Sequence, residues 1–261
     1  MRGWRMGMAA AVGIVAAGVA EAQDGRAELA PNGTVRVALV EAPNGGVFFV
    51  GRGRDGALKG VTRDLAQDLA RRLGVKAEFK VYPNSGEATE ATRTGAVEMA
   101  FMPVDASRRE AVAFGPAYYD LESTYLVTAA SGVTDVKEVD RPGMRVIGIA
   151  NTTTIRASAR TLTTTQPVAV ASVAESVAMM RDGRADAFAL SRDSLPPFAA
   201  DIPGSRIVTG GFQQTQVAVA VPKGRPAALA AVTAWLTGAK RDGTVGRIFA
   251  AHGLGGEKAA E

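Results

Sequence analysis

Apolar and polar positions along this chain follow two periods, and each period predicts an element. From Thr34 to Val40, the residues Val35, Val37 and Leu39 alternate with Arg36 and Ala38, a period of two that predicts a strand. From Gly60 to Leu73, the apolar residues Val61, Leu65, Leu69 and Leu73 recur every four positions and Gly74 follows as a stop, which predicts an amphipathic helix. A second strand is expected over Lys76 to Tyr82 and a shorter helix over 86–94. The Thr94-Gly95 turn then leads into an apolar strand, Val97 to Met102. The segment ahead of Thr34, Gln23 to Gly33, reads as a polar leader outside the fold.

The same βαβαβ order returns in the second half. Strand Arg145 to Ala150 is followed by helix Thr154 to Leu162, strand Val168 to Val170, helix Ser172 to Arg181 and strand Ala185 to Leu190. The closing turns match as well, because Gly95 and Gly183 each stand three positions before an acid, Glu98 and Asp186. Strands alternating with helices predict parallel sheets covered on both faces, and two copies predict two doubly wound α/β lobes. Ligands of such sheets bind beyond the carboxyl ends of the strands. The segments of interest are therefore Glu41 to Phe49, Phe101 to Arg108, Asn151 to Thr154 and Ser191 to Asp193.

Composition narrows the setting. Arg2 and Arg5 precede an apolar run from Met6 to Val19, and Ala20-Glu21-Ala22 has the small-x-small form of a signal-peptidase site, so residues 1–22 read as a cleaved leader. That run is shorter than the roughly 20 apolar residues a membrane span needs. The expected compartment is the periplasm. The chain has no cysteine, which removes disulfides, thiolate nucleophiles and lipidation at the cleavage site. Its net charge of +4 is dispersed, so neither nucleic acid nor an anionic membrane is implied as a partner.

Several spaced motifs then point to one family. They are Gly60-Val61-Thr62-Arg63-Asp64-Leu65-Ala66, then Arg108 followed by Val112, Phe114, Pro116, Tyr118 and Tyr119, and then Ile147-Gly148-Ile149 through Thr154. The Gly183 to Ala187 turn, Val219 to Gly224 and Asp242-Gly243-Thr244 complete the series. In this order the chain resembles the family 3 bacterial extracellular solute-binding proteins, the polar amino acid binding group of ABC importers, from about residue 34 to 252. The resemblance implies a type II periplasmic binding fold, with two lobes joined by a two-strand hinge. Lobe 1 would take 34–124 and 217–255 and lobe 2 would take 125–216, with crossings near Ser123 to Val127 and Gln214 to Val219. It also implies a non-catalytic, monomeric receptor without cofactor, whose partners are a small-molecule ligand and the membrane subunits of an ABC transporter.

By the same resemblance, Arg108 would hold a ligand carboxylate, for which a guanidinium fork is suited. Thr152, Thr153 and Thr154 precede a helix and would offer hydroxyls and amides to an anion, or serve as a plain N-cap. Thr152 stands where the family has Gly. Phe101 and Pro103 stand where it has hydroxyls, and Ser191 where it has the aspartate for the ligand ammonium. Losing that acid favours a carboxylate lacking an amine, since a buried ammonium without an acceptor is costly. Glu41 or Asp193 could supply the charge from a shifted position. Phe48, Phe49, Phe101 and Tyr118 are candidates for stacking on a flat ligand, or core.

The competing reading is an enzyme on the same scaffold, such as a periplasmic dehydratase acting on a cyclic carboxylic acid. A separate sensor component is a third. Against catalysis, the single histidine, His252, is expected exposed near the C-terminus, and no Ser/His/Asp set, metal cluster or phosphate loop is visible. Intact-mass analysis of the exported protein checks the leader, with a mature chain beginning at Gln23 expected.

Overall fold

The structure is a computed structural model, and it describes residues 24–42, 48–53, 55–255 and 259–260. The leader and its cleavage site lie outside the described residues. Strands and helices alternate as β1 (Thr34–Val40), β2 (Gly51–Arg52), β3 (Leu58–Lys59), α1 (Val61–Leu73), β4 (Lys76–Tyr82), α2 (Ser85–Arg93), β5 (Met99–Pro103) and α3 (Ala106–Ala111). They continue as β6 (Val112–Val127), β7 (Val146–Ile149), α4 (Thr153–Thr161), β8 (Val168–Val170), α5 (Val173–Arg181), β9 (Ala187–Ser191), α6 (Pro196–Asp201), β10 (Arg206–Ile207), β11 (Gln213–Pro222), α7 (Pro226–Arg241) and α8 (Thr244–Ala251).

One sheet runs through the molecule in the order β4-β1-β5-β11-β6-β9-β7-β8, with β10 added beside β6. Its two ends are parallel. β1 pairs with β4 and β5 in one lobe, and β7 pairs with β8 and β9 in the other. The antiparallel pair β6 and β11 joins them. β6 lies along β11 from Val112 to Ser123 and then along β9 from Ser123 to Val127. The fold is thus the two-lobed α/β architecture with a two-strand connection.

Each lobe has its own apolar core. The larger cluster draws on residues 29–121 and 217–249, and two smaller clusters are built from residues 125–208. Val61, Leu65 and Leu69 of α1 are fully buried in the larger one, as the period of four predicts. Gly60 enters this helix at φ 151°, and a Cβ there would lie 1.9 Å from the Phe49 carbonyl oxygen, so glycine is required. α7 returns to the same lobe with Val232 and Leu236 buried, and the Trp235 indole N–H donates to Asp68 at 2.9 Å. Asp68 also accepts from Arg71 and Arg72, so a carboxylate only 2 % exposed is fully satisfied.

Two expectations need correction. The segment before Thr34 belongs to the fold: residues 24–29 are helical and Leu29 is completely buried. Glu28 accepts from the Ala228 amide at 2.7 Å, which caps α7 where its own N-cap, Arg225, supplies no side-chain bond. A six-residue turn is too short to display a helical period, and its purpose is visible only beside a helix some two hundred residues away. His252, expected exposed, is 14 % exposed, with Nε2 2.8 Å from Asp64 Oδ2. The α8 helix folds back on α1 and brings them together.

Two carboxylates, the half-buried Asp140 and the exposed Asp242, tie loops to threonines. Asp140 accepts from the Thr163 hydroxyl and the amides of Thr163, Thr164 and Thr165, and these bonds hold its pKa down to about 2. The Thr244 hydroxyl and amide and the Arg72 guanidinium likewise hold Asp242 at about 2. Both lie below the ordinary 3.8, so their contribution is complete above about pH 4 and is lost as the pH falls toward 2. Thermal melts of an Asp140→Asn, Asp242→Asn double variant should therefore show a flatter decline between pH 4 and pH 2 than the unmodified chain, beginning from a lower Tm at pH 7.

Candidate functional site

Between the lobes lies a cavity whose walls are strand ends. Lobe 1 contributes Val40 and Glu41 from the end of β1, Pro83 to Ser85 beyond β4, and Pro103 closing β5. Lobe 2 contributes Ile149 from β7, Thr152 to Thr154 at the start of α4, Leu190 and Ser191 at the end of β9, and Ser194 just beyond it. These are carboxyl ends of parallel strands on both sides, where such sheets place their ligands. About 70 Å³ is open to the centre of a water molecule. One water needs roughly 10–15 Å³ on that measure, so the cavity takes a handful of waters or one compact organic molecule. Glu41, Pro83, Ile149 and Val173 are shared with a wider groove along α5, which forms the mouth.

The start of α4 is the polar centre of the cavity. Thr152 is the N-cap: its hydroxyl accepts from the Ile155 amide at 3.3 Å and donates to the Ile149 carbonyl at 2.8 Å. That leaves the Thr153 and Thr154 amides without intrahelical partners, at the positive end of the helix dipole. The Thr154 hydroxyl lies 3.4 Å from that of Ser123. Thr153 is 3 % exposed, lines the cavity, and its hydroxyl makes no hydrogen bond among the described residues. Opposite, Ser191 donates to Ser194 at 2.8 Å. Glu41, exposed at the mouth, is the one ionisable side chain among the described lining residues. No group of three or more metal-ligating side chains occurs among the described residues.

Other sequence candidates stand apart from this surface. Arg108 is 3 % exposed and lies behind the wall. It donates to the Pro103 carbonyl at 2.7 Å, the Ser85 hydroxyl at 2.7 Å and the Asn151 carbonyl at 3.2 Å. Burial pushes its pKa down to about 10, Asp105 opposes that shift and Arg156 adds to it. Phe101 and Tyr118 are core, their rings edge to face at 5.6 Å. The Tyr118 hydroxyl is buried without a hydrogen-bond partner among the described residues, and burial, then Tyr119 and Asp193, push its pKa well up. Asp193 sits half-buried on the turn Arg192–Ser194, outside the lining. Phe49 does line the cavity, whereas its neighbour Phe48 packs on Tyr118 and Tyr119.

Asn84, Ser85 and Ser194 are the polar lining residues that the sequence reading passed over. A signal for the first two existed: they follow directly on β4, and the Asn84 side chain accepts from the Glu87 amide at 2.9 Å, an N-cap spacing. Asn151 is the one non-glycine residue with positive φ, 62°, among the described residues, and it turns the chain from β7 into the cap. Thr152→Ala should lower stability by about 1 kcal/mol through the lost cap, while Asn151→Gly should change it little. Urea denaturation of the ligand-free protein reads both.

No match was found among curated protein sequences. Solved structures do share the fold. A substrate-binding protein of an ABC uptake transporter from Streptococcus pneumoniae, with bound histidine, is 16 % identical with a TM-score of 0.77, covering 91 % of this chain and 99 % of its own. A solute receptor for L-cysteine from Neisseria gonorrhoeae is 21 % identical with a TM-score of 0.76, covering 87 % and 92 %. An ancestral amino acid-binding protein, a precursor of cyclohexadienyl dehydratase, is 26 % identical with a TM-score of 0.74, covering 87 % and 98 %. The pattern of the bacterial extracellular solute-binding proteins, family 3, matches residues 48–254, and with the strand-end cavity between two lobes this chain belongs to that family.

Proposed function

We propose that the chain is a periplasmic receptor that closes its two lobes, 34–124 with 217–255 and 125–216, around a small carboxylate-bearing solute. It then presents that closed form, as a monomer, to the membrane subunits of an ABC importer. The observation that carries this reading is the start of α4: two amides without intrahelical partners, and the Thr153 hydroxyl, which makes no hydrogen bond among the described residues, line the cavity between the lobes. Oriented donors at a helix N-terminus favour a carboxylate, and burial strengthens each bond. Ser85, Ser191 and Ser194 supply further hydroxyls. Glu41 is the group that would pair with a ligand ammonium. At the exposed mouth it can do so without the cost of a buried charge.

An L-cysteine receptor and a histidine-bound protein of the same fold make amino acids the first solutes to try. The cavity favours compact ones, whose side chains meet Phe49, Leu121 and Leu190. A dehydratase has one observation in its favour, an acid in the cavity, but Glu41 alone supplies either a general acid or a general base at one time.

Thermal shifts against amino acids, amine-free carboxylates and uncharged amides test the proposal. A true ligand at 100 times its Kd stabilises by about 2.7 kcal/mol. Thr153→Val should weaken carboxylate binding about tenfold without altering the ligand-free melt. Silence toward every carboxylate, or an unchanged Kd in that variant, overturns the carboxylate assignment. Turnover of a cyclic acid would replace the receptor reading with the enzyme.

A further inference from the structure

The space between the lobes does not end at the mouth of the cavity. Past Glu41, Pro83, Ile149 and Val173, which line both, it widens into the groove along α5. There about 520 Å³ is open to the centre of a water molecule, against about 70 Å³ in the cavity. The lining of this groove is mostly apolar. Val177 and Phe198 are buried in it, while Ala174 and Ala178 are exposed. These two alanines stand one turn apart on one face of α5, and their short side chains leave open the space that a phenylalanine there would fill. Arg181, the last residue of α5, donates to the Asp201 carbonyl at 3.2 and 3.0 Å and lies 3.9 Å from the Asp201 carboxylate. The charges at that end of the helix are therefore paired with each other. Glu41, at the junction with the cavity, is the remaining ionisable side chain among the described lining residues.

We propose that the solute is a carboxylate with an uncharged apolar tail, its head held at the start of α4 and its tail lying along α5 over Ala174 and Ala178. This deepens the receptor reading and rests on it. The head end carries its own mark: Thr153 is 3 % exposed, lines the cavity and makes no hydrogen bond among the described residues. The cavity alone holds a compact group, so any extension of the solute leaves through the mouth. What it meets there is apolar surface, which an apolar tail covers with gain and a polar one does not. The Glu41 carboxylate at the junction disfavours a second anionic group, which sets diacids apart from monocarboxylates. Ser191 brings no charge to the head end, so no ammonium is required beside the carboxylate.

Isothermal titration with straight-chain carboxylates from acetate to decanoate tests the tail. Once the cavity is filled, each added methylene should tighten binding about fourfold until the groove is occupied. Ala174→Phe and Ala178→Phe should leave the shortest member that binds unchanged and weaken octanoate at least about tenfold. Thr153→Val should weaken all members by one common factor. Circular dichroism reports folding of each variant, and if a phenylalanine variant does not fold, Ala174→Leu and the chain-length series of the unmodified protein read the same contact. Measurable binding that stays flat with chain length, or a length dependence that survives in the folded phenylalanine variants, overturns the tail and leaves the carboxylate receptor standing. So does octan-1-ol binding as tightly as octanoate, which would make the effect a partition of alkyl chains. Silence toward the whole series overturns the tail and the carboxylate reading together.

Discussion

β6 runs for sixteen residues without a break, and β11 lies antiparallel against it from Val112 to Ser123. Every other relationship in the molecule is referred to this pair. On one side it carries the parallel strands β5, β1 and β4, and on the other β9, β7 and β8. Both sets present their carboxyl ends to the same gap, so the cavity is a consequence of the sheet's continuity. The register between the two strands slips at Val217/Ala218 and again before Ala220. Such irregularities sharpen local twist, and these fall inside lobe 1, beside Tyr119, leaving the regular ladder from Gln213 to Val217 to cross between the cores.

Chemistry in the gap is concentrated at one helix start. α4 offers amides that its own geometry leaves unpaired, and Thr152 satisfies just one of that turn's donors. The surrounding wall is mostly apolar, with hydroxyls at Ser85, Ser191 and Ser194. Those hydroxyls can rotate to donate or accept, whereas the amides can donate only. Sign preference therefore resides in the backbone, and the side chains adapt to whatever shape the solute brings.

Periodicity in the sequence was sufficient for the parallel strands and for α1, where Val61, Leu65 and Leu69, spaced by four, are all fully buried. Strand alternation likewise marked β1 and β4 to the residue. The short elements were not legible: α3, α6 and the turn at 24–29 each span six residues, fewer than two helical turns. Of the residues that line the cavity, Thr152 to Thr154, Ser191, Glu41 and Phe49 were reachable because strand ends can be located from pattern. Arg108 illustrates the limit. Its position after β5 was evident, but the direction of its guanidinium depends on the Pro103 carbonyl, on Ser85 and on Asn151, three groups that only the fold assembles. His252 and Asp64 meet for the same reason, 188 residues apart.

The larger core is stitched from both ends of the chain, whereas the smaller clusters come from a single uninterrupted stretch. Glu28 waits for α7, and Asp68 waits for Trp235. Contacts close in sequence form early and distant ones pay loop-closure entropy first. As the chain emerges, the middle can therefore complete its core while the amino-terminal part still lacks β11 and two helices. The first half to be made is the last to be finished, and its unpaired β5 edge stays open until the final fifth of the chain arrives.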